Sequence, residues 1–209
     1  MDFKKRCKLI KQYFGSQMDI FFDAGPGGVN QESHEISLIM KDISIYGFEA
    51  SIPRYDAMKD TYPGEIINVM LGDSKKVFTG YLGGAKLCKV PIDNFRINIT
   101  KEEEKDQIIG FKKSTINCIT LDDFYKDKNL TGKIFIWADI EGAELSMLKG
   151  AIRLLETKKI IGLNLELSNK DRFPKYTEII NFLNTYQYKP IESCDISYNR
   201  HKDVLFKLS

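Results

Sequence analysis

The chain's 209 residues, 43% of them hydrophobic and 29% charged, are enough for one globular domain with a substantial core, and we expect residues 1–209 to form that single domain. The formal net charge is only +2, which argues against a nucleic-acid partner. No apolar run approaches the roughly 18 residues of a membrane-spanning helix, and no secretory signal is recognisable. The four cysteines show no metal-ligand spacing, so we expect free thiols, a cytoplasmic location and no bound metal.

Helices and strands alternate in the first part of the chain. Helical spacing of Phe3, Cys7, Ile10 and Phe14 predicts an N-terminal capping helix within residues 1–15. The elements expected after it are a strand over 20–23, a helix over 31–41, a strand over 43–49, a short helix over 53–60 and a strand over 65–71. Near-continuous apolar strands that alternate with helices predict a parallel sheet covered on both faces.

The alternation breaks between residues 72 and 132, which we interpret as an insert. Within it, residues 90–99 have strand character, 101–106 form a charged run that predicts an exposed loop, and Thr120 is the expected cap of a short helix that ends near Lys128. The insert is the segment expected to contact a substrate. Its candidate contact residues are Tyr81, Lys86, Lys89 and Arg96, although each of them taken alone is better explained as a surface residue.

Regular alternation resumes after the insert. We expect a strand over 134–138, a helix over 143–157, a strand over 160–165, a helix over 175–186 and a closing antiparallel pair over 188–192 and 204–208. Two strands of this part end in carboxylates, Asp139 and Glu166, as the first two strands do with Asp23 and Glu49. Because ligands bind beyond the carboxyl ends of parallel strands, these four residues predict a site at one edge of the sheet.

A glycine-rich turn follows the first predicted strand. Asp23 is followed by Gly25, Gly27 and Gly28 before a helix begins, and this arrangement predicts a nucleotide-like cofactor at a helix N-terminus. Glu49, at the end of the second strand, is placed to accept hydrogen bonds from both hydroxyls of a cofactor ribose. That geometry suits NAD and S-adenosylmethionine equally, so this loop alone leaves both cofactors open.

Two further motifs distinguish these cofactors. The stretch from Ile119 to Phe124 reads ITLDDF, and the stretch from Asp139 to Ala151 reads DIEGAELSMLKGA. In this order they resemble the FkbM-type S-adenosylmethionine-dependent methyltransferases. The resemblance implies an α/β, Rossmann-like class I methyltransferase fold with a mostly parallel seven-stranded sheet, helices on both faces and an antiparallel C-terminal strand. It also implies S-adenosylmethionine as cofactor and O-methylation, often of a sugar hydroxyl in a glycan or glycoconjugate.

The resemblance further implies how the cofactor lies. Gly25 and Gly27 would approach its methionine part and ribose, and Glu49 would bind the ribose hydroxyls. The full expected cofactor set is Asp23, Gly25, Gly27, Glu49, Ser51, Ile52, Gly72, Asp73 and Asp139, with Ser51 and Ile52 at the adenine edge and Asp73 accepting from the adenine amino group. A simple turn role is the alternative for Asp73. Two positions depart from the family pattern: Asn30 replaces a glycine, and Trp137 replaces a lysine and is a candidate to shape the acceptor pocket.

Methyl transfer to a hydroxyl is helped by a base, and the expected catalytic residues are Asp139, Glu141 and Glu166. Asp139 is favoured, since its strand is expected beside the first one. Stabilisation of a helix start is the alternative role for Glu141 and Glu144. A divalent metal held by these carboxylates would also acidify a hydroxyl, but no histidine cluster supports it.

Two other functions remain open at this stage. An NAD-dependent oxidoreductase would use the same loop, and a non-catalytic binding module would retain the methyltransferase fold without its activity. The sequence predicts no oligomeric state.

Overall fold

The computed structural model describes residues 3–27, 31–83, 111–140, 142–168, 176–196 and 201–209. Its helices are α1 (Phe3–Phe14), α2 (Gln31–Ile39), α3 (Ile52–Met58), α4 (Leu121–Asp127), α5 (Glu144–Lys149), α6 (Ile152–Glu156) and α7 (Tyr176–Thr185). Its strands are β1 (Ile20–Ala24), β2 (Ser44–Phe48), β3 (Glu65–Ile67), β4 (Met70–Leu71), β5 (Lys76–Gly83), β6 (Phe111–Ile119), β7 (Ile134–Ala138), β8 (Ile160–Ser168), β9 (Tyr188–Ile196) and β10 (His201–Leu208).

Seven strands form the main sheet in the order β3-β2-β1-β7-β8-β10-β9. In this order, each neighbouring pair of strands from β3 through β2, β1 and β7 to β8 is parallel. The strand β10 pairs antiparallel with both β8 and β9. The predicted mostly parallel sheet with an antiparallel C-terminal strand is therefore confirmed. Because β2, β1, β7 and β8 run the same way, their carboxyl ends share one edge of the sheet.

Helices cover both faces of this sheet, as expected from strands that are apolar on both sides. On one face, α1 and α2 bury Cys7, Ile10, Phe14 and Ile36 against a layer that includes Phe21. On the other face, α4 to α7 pack against Phe22 and its neighbours, and their buried residues are Leu121, Phe124, Met147, Leu148, Leu154, Leu155, Ile179 and Leu183. The fixed alternation of side chains along β1 sends Phe21 and Phe22 to opposite layers.

The strand predicted over residues 65–71 is wrong as one element. It divides into β3, which joins the main sheet, and β4, which joins β6 and β5 in a second, three-stranded sheet. At the break, the backbone N–H of Val69 bonds back to the carbonyl of Ile67 at 3.1 Å, and the Asn68 amide donates to the carbonyl of Glu49 at 2.8 Å. The second sheet was not predicted, because β5 and β6 belong to the insert and β4 was expected as part of the 65–71 strand. Residues 84–110, which include the predicted 90–99 strand and 101–106 loop, lie outside the described residues.

The helix predicted over residues 143–157 is also interrupted, at Gly150 and Ala151. The Asp122 carboxylate accepts hydrogen bonds from the backbone N–H groups of Arg153 at 2.9 Å and Leu154 at 3.0 Å, so it caps the start of α6. The expected cap of α4 is confirmed, since Thr120 Oγ1 accepts from the backbone N–H of Asp123 at 3.0 Å. The ITLDDF motif thus caps two helices.

Gly150 carries a testable packing constraint. A Cβ atom at this position would overlap the carbonyl oxygen of Gly72, which is backbone and cannot rotate away. We therefore expect Gly150→Ala to lower the free energy of unfolding by about 1–3 kcal/mol, the usual cost of overpacking. Chemical denaturation of the wild-type protein and of Gly150→Ala measures this difference in the free energy of unfolding. Lys149→Ala, at the exposed neighbouring position, is the control, and equal losses in both variants would contradict the packing argument.

Candidate active site

The glycine turn after β1 brings three strand ends together. The backbone N–H of Gly25 donates to the carbonyl of Phe48 at 3.0 Å, and that of Asp139 donates to the carbonyl of Ala24 at 3.0 Å. A Cβ atom at Gly25 would overlap the carbonyl oxygen of Asp139, and Gly25 has a φ of 80°, which L side chains rarely adopt. The ends of β2, β1 and β7 are therefore joined by main-chain contacts, and glycine is required at position 25.

Gly27 also adopts a left-handed backbone, with a φ of 66°, but for a different reason. A Cβ atom there would meet no atom of the described residues within 4 Å. The space beside this backbone is open, which fits a turn that a cofactor approaches closely. Gly28, Val29 and Asn30 lie outside the described residues, so the predicted role of Asn30 stays a prediction.

Glu49 follows β2 and is only 4% exposed. Its Oε1 accepts a hydrogen bond from the backbone N–H of Ser51 at 2.7 Å, whereas Oε2 has no hydrogen-bond partner among the described residues. Burial raises the pKa of this carboxyl, and the N–H of Ser51, the charge of Arg54 and the N–H of Gly27 oppose that rise. A buried carboxylate oxygen without a partner is costly, and two cofactor hydroxyls would satisfy it.

The chain beyond Glu49 offers a surface for a planar ring. Ser51 is buried at the N-terminus of α3, and the next residue, Ile52, is a large apolar side chain that is 36% exposed. Exposed apolar surface beside a polar pocket is typical of ligand sites. These features fit the nucleoside half of a cofactor next to Glu49.

Asp23 ends β1 beside Gly25, but its carboxyl group already has partners. It is 1% exposed, and its Oδ2 is hydrogen-bonded with the hydroxyl groups of Ser33 and Tyr62. These partners lie on α2 and after α3. A direct contact of the Asp23 side chain with the cofactor stays a prediction, and the observed role is to tie three segments together.

Gly72 and Asp73 follow β4, so they belong to the second sheet rather than to the main one. Gly72 donates its backbone N–H to the carbonyl of Ile119 at 3.0 Å. Asp73 is exposed, and its Oδ1 accepts from Ser74 Oγ at 2.8 Å and Lys76 Nζ at 3.4 Å. The Ser74 hydroxyl and the Lys76 charge lower its pKa. The observed contacts are those of a turn residue, and the contact with adenine stays a prediction.

Asp139 follows β7 and is exposed at the edge where β1 and β7 end. Glu166 is half-buried in β8 opposite Asp203 of β10. Glu141, the third predicted catalytic residue, lies outside the described residues. The structure therefore brings Asp139 next to Gly25, whereas Glu166 lies one strand further along the sheet.

Glu144 has the structural role that its place near a helix start indicated. It is buried, and its Oε1 accepts from the backbone N–H groups of Ile140 and Gly142, each at 3.3 Å. Burial raises its pKa to about 7, and the charge of Asp139 adds to this rise. Glu144 thus shapes the turn from Asp139 to the start of α5. Trp137, expected as a candidate to shape the acceptor pocket, is instead buried in the layer under α1 and α2.

The sequence analysis missed the residues that support the site from other segments. Ser33 and Tyr62 hold Asp23, Arg54 faces Glu49, and Asn68 anchors the backbone of Glu49. Ser33 is a small polar residue on the buried side of α2, and that pattern was a detectable signal. The other three have no local pattern that marks them.

Comparisons with known proteins agree with this geometry. Residues 32–190 match the family model described as the methyltransferase FkbM domain, and the chain belongs to this family. Its cofactor is accordingly S-adenosylmethionine, whose ribose hydroxyls could satisfy the buried Oε2 atom of Glu49. No curated protein matches the chain.

Solved structures show the fold. The METTL16 methyltransferase domain aligns over 100% of this chain and 67% of its own, with 9% identity and a TM-score of 0.52. The methyltransferase domain of bacterial CtHen1-C aligns over 99% and 96%, with 14% identity and a TM-score of 0.49. A magnesium protoporphyrin IX methyltransferase from Synechocystis PCC 6803 with bound SAH aligns over 99% and 83%, with 10% identity and a TM-score of 0.48.

The unpartnered oxygen of Glu49 gives a direct prediction. We expect Glu49→Ala to weaken binding of S-adenosylhomocysteine roughly 10- to 100-fold, because hydrogen bonds to a charged acceptor are worth about 1.5–3 kcal/mol. Isothermal titration calorimetry measures this. Glu65→Ala is the control, since Glu65 is an exposed carboxylate at the start of β3 that pairs with Lys128. Unchanged affinity in a folded Glu49→Ala protein would refute the assignment.

Proposed function

We propose that the protein is an O-methyltransferase that methylates a sugar hydroxyl of a glycan or glycoconjugate, with Asp139 as the base. The observation that carries the proposal is that Asp139 is exposed and that its backbone carbonyl lies against Gly25 of the glycine turn. S-adenosylmethionine supplies an electrophilic methyl group when it is bound. The residues of the chain have to hold an acceptor oxygen at this edge and to remove its proton.

The other carboxylates at the same edge are less suited to be the base. Asp23, Glu49 and Glu144 are buried and hydrogen-bonded within the protein. Asp139 is exposed, so an acceptor hydroxyl can reach it without displacing the core. A base within hydrogen-bond reach of the hydroxyl makes a neutral alcohol a better nucleophile. Glu166 and Glu141 are the alternatives for the role.

Support for a sugar hydroxyl comes from the resemblance to FkbM-type enzymes, which are typically O-methyltransferases and often act on sugars. The insert over residues 72–132, between β4 and β7, is the segment that we assign to the acceptor, and Tyr81, Lys86, Lys89 and Arg96 are its candidate contacts. Among the described residues there is no group of three or more His, Cys, Asp or Glu side chains that could hold a metal ion, and Glu141 lies outside those residues. No helix of the described residues is long and apolar enough to cross a membrane.

If Asp139 is the base, its replacement should lower turnover without weakening cofactor binding. We expect Asp139→Asn to leave the affinity for S-adenosylhomocysteine largely unchanged and to lower kcat at least about 100-fold, the usual contribution of a positioned base. Asp127→Asn, at an exposed carboxylate on α4, serves as the control. If Asp139→Asn retained wild-type turnover, the base would have to be Glu141 or Glu166.

The acceptor class is tested by transfer of a radiolabelled methyl group from S-adenosylmethionine to a panel of sugars, glycolipids and hydroxyl-bearing small molecules. We expect label in the sugar-containing acceptors and release of the label only by treatments that cleave methyl ethers. Labelling of amines or thiols instead would overturn O-methylation. A protein that binds S-adenosylhomocysteine tightly and labels no member of the panel would favour a non-catalytic binding module.

A further inference from the structure

Three buried oxygen groups meet in a triangle on the α1/α2 face of the sheet. Asp23 comes from β1, Ser33 from the first turn of α2 and Tyr62 from the turn after α3, and all three are buried. Asp23 Oδ2 contacts Ser33 Oγ, and it lies 3.1 Å from the Tyr62 hydroxyl. The two hydroxyl oxygens lie 2.7 Å from each other. Each oxygen is thus within hydrogen-bond distance of the other two.

The number of hydrogens decides the protonation state that this triangle favours. Three contacts between three oxygens need three hydrogens if each contact is a hydrogen bond. The Ser33 and Tyr62 hydroxyls supply one hydrogen each, and an ionised Asp23 supplies none. A protonated Asp23 supplies the third hydrogen: its own O–H group donates to one hydroxyl, the two hydroxyls bond to each other, and Asp23 accepts from the second hydroxyl. Only the neutral carboxyl satisfies all three contacts.

The fold makes room for this arrangement. Gly47 of β2 pairs directly with Asp23 of β1. A Cβ atom at Gly47 would lie 2.6 Å from Cζ and 2.7 Å from the hydroxyl oxygen of Tyr62, which is closer than real Cβ contacts. The absence of a side chain at Gly47 is therefore what lets the Tyr62 ring reach across β2 to Asp23. The triangle therefore depends on the residue at a position in a fourth segment, Gly47 of β2.

We propose that Asp23, Ser33 and Tyr62 form a latch in which Asp23 keeps its proton, and that this latch holds the start of α2 in the position that binds the cofactor. Ser33 is the third residue of α2, and α2 begins directly after the glycine turn. Loss of the proton removes one of the three hydrogen bonds, and it leaves a charge in a buried site. The start of α2 then loses part of its attachment to β1, and the three residues act as positioning residues for the cofactor turn.

The groups around Asp23 favour its neutral form. Burial is the largest cause that raises the pKa of Asp23, to about 7, and the charges of Glu32 on α2 and Glu49 after β2 add to it. The hydrogen bonds from Ser33 and Tyr62 only partly oppose this rise.

Two other elements packed against Asp23 place uncharged groups near it. On α1, the pKa of the Cys7 thiol is raised to about 12 by burial and by the charges of Glu32, Glu35 and Asp23, so this thiol stays neutral. On β7, the residue paired with Asp23 is the uncharged Trp137. The largest charge effects on the pKa of Asp23 come from the carboxylates of Glu32 and Glu49, and both raise it.

The direction of the pH effect follows from these groups. The pKa of Asp23 is higher in the folded protein than in the unfolded chain, so the folded protein binds the proton more tightly. Its stabilising contribution is therefore complete below about pH 4 and is lost as the pH rises to about 7. We expect cofactor affinity to decrease in the same direction, because ionisation weakens the attachment of α2.

Two measurements on the complete chain test the latch. Carbon-13 NMR of the Asp23 side-chain carboxyl, assigned through its backbone, follows its titration in the wild-type protein. We expect a midpoint near 7, and a midpoint near 4 would overturn the proposal. Calorimetric binding of S-adenosylhomocysteine between pH 6 and 9 gives the functional readout. We expect affinity to fall about tenfold over this range. A tenfold fall corresponds to a pKa of Asp23 that is about one unit higher in the complex than in the free protein.

Variants separate the latch from a general loss of stability. Asp23→Asn, which is neutral at every pH, should remove the fall in affinity between pH 6 and 9. Tyr188→Phe is the matched control: Tyr188 is also buried, and its hydroxyl donates to the carbonyl of Ile160 at 2.6 Å at the start of β8. Tyr62→Phe should weaken cofactor binding at pH 6, whereas Tyr188→Phe should leave both binding and its pH profile unchanged.

The outcomes are distinct from those of the proposed function. A pH profile that is the same in the wild type and in Asp23→Asn would overturn the latch, and so would equal effects of Tyr62→Phe and Tyr188→Phe on cofactor affinity. If Asp23→Asn does not fold, the NMR titration of the wild-type protein and the comparison of Tyr62→Phe with Tyr188→Phe still test the latch. None of these measurements uses an acceptor, so they hold whichever hydroxyl the enzyme methylates.

Discussion

The close approach of Gly25 to Asp139 is the contact on which the site depends. It requires a residue without a side chain and with a left-handed backbone, and it joins the ends of β1 and β7 through main-chain atoms alone. Because β2 and β7 flank β1, the turn at Gly25 lies between Glu49 on one strand and Asp139 on the other. The Glu49 carboxylate is buried, and Asp139 is exposed, which is the arrangement on which their proposed roles rest.

Much of the main sheet could be predicted from the sequence, because its central strands are buried on both faces and their apolar runs are local signals. The elements that were wrong depend on contacts between distant segments. Residues 65–71 divide into two strands where the Asn68 amide binds the carbonyl of Glu49, and the helix after Asp139 breaks where Gly150 meets Gly72. The spacing of apolar residues contains no information on such contacts, so it predicts one continuous element over 65–71 and one over 143–157.

The residues of the candidate site also fall into those that the sequence could predict and those that it could not. Gly25, Gly27 and Glu49 could be named because their chemistry resides in a short motif with a known spatial consequence. The partners of Asp23 could not, since Ser33 and Tyr62 come from other segments and meet only in the fold. As a result, a carboxyl group expected to contact the cofactor has its hydrogen bonds within the protein. The strongest support for the cofactor site is that Glu49 Oε2 is buried without a hydrogen-bond partner among the described residues. This feature, too, can be seen only in the three-dimensional structure.

The central claim is that the pocket formed by Gly25, Glu49 and Asp139 holds S-adenosylmethionine, and a crystal structure with S-adenosylhomocysteine tests it most directly. The account predicts at least one ribose hydroxyl within hydrogen-bond distance of Glu49 Oε2, and the thioether sulfur on the side of the glycine turn that faces Asp139. A ligand bound elsewhere, or one bound at this edge with Glu49 Oε2 still lacking a partner, would contradict it.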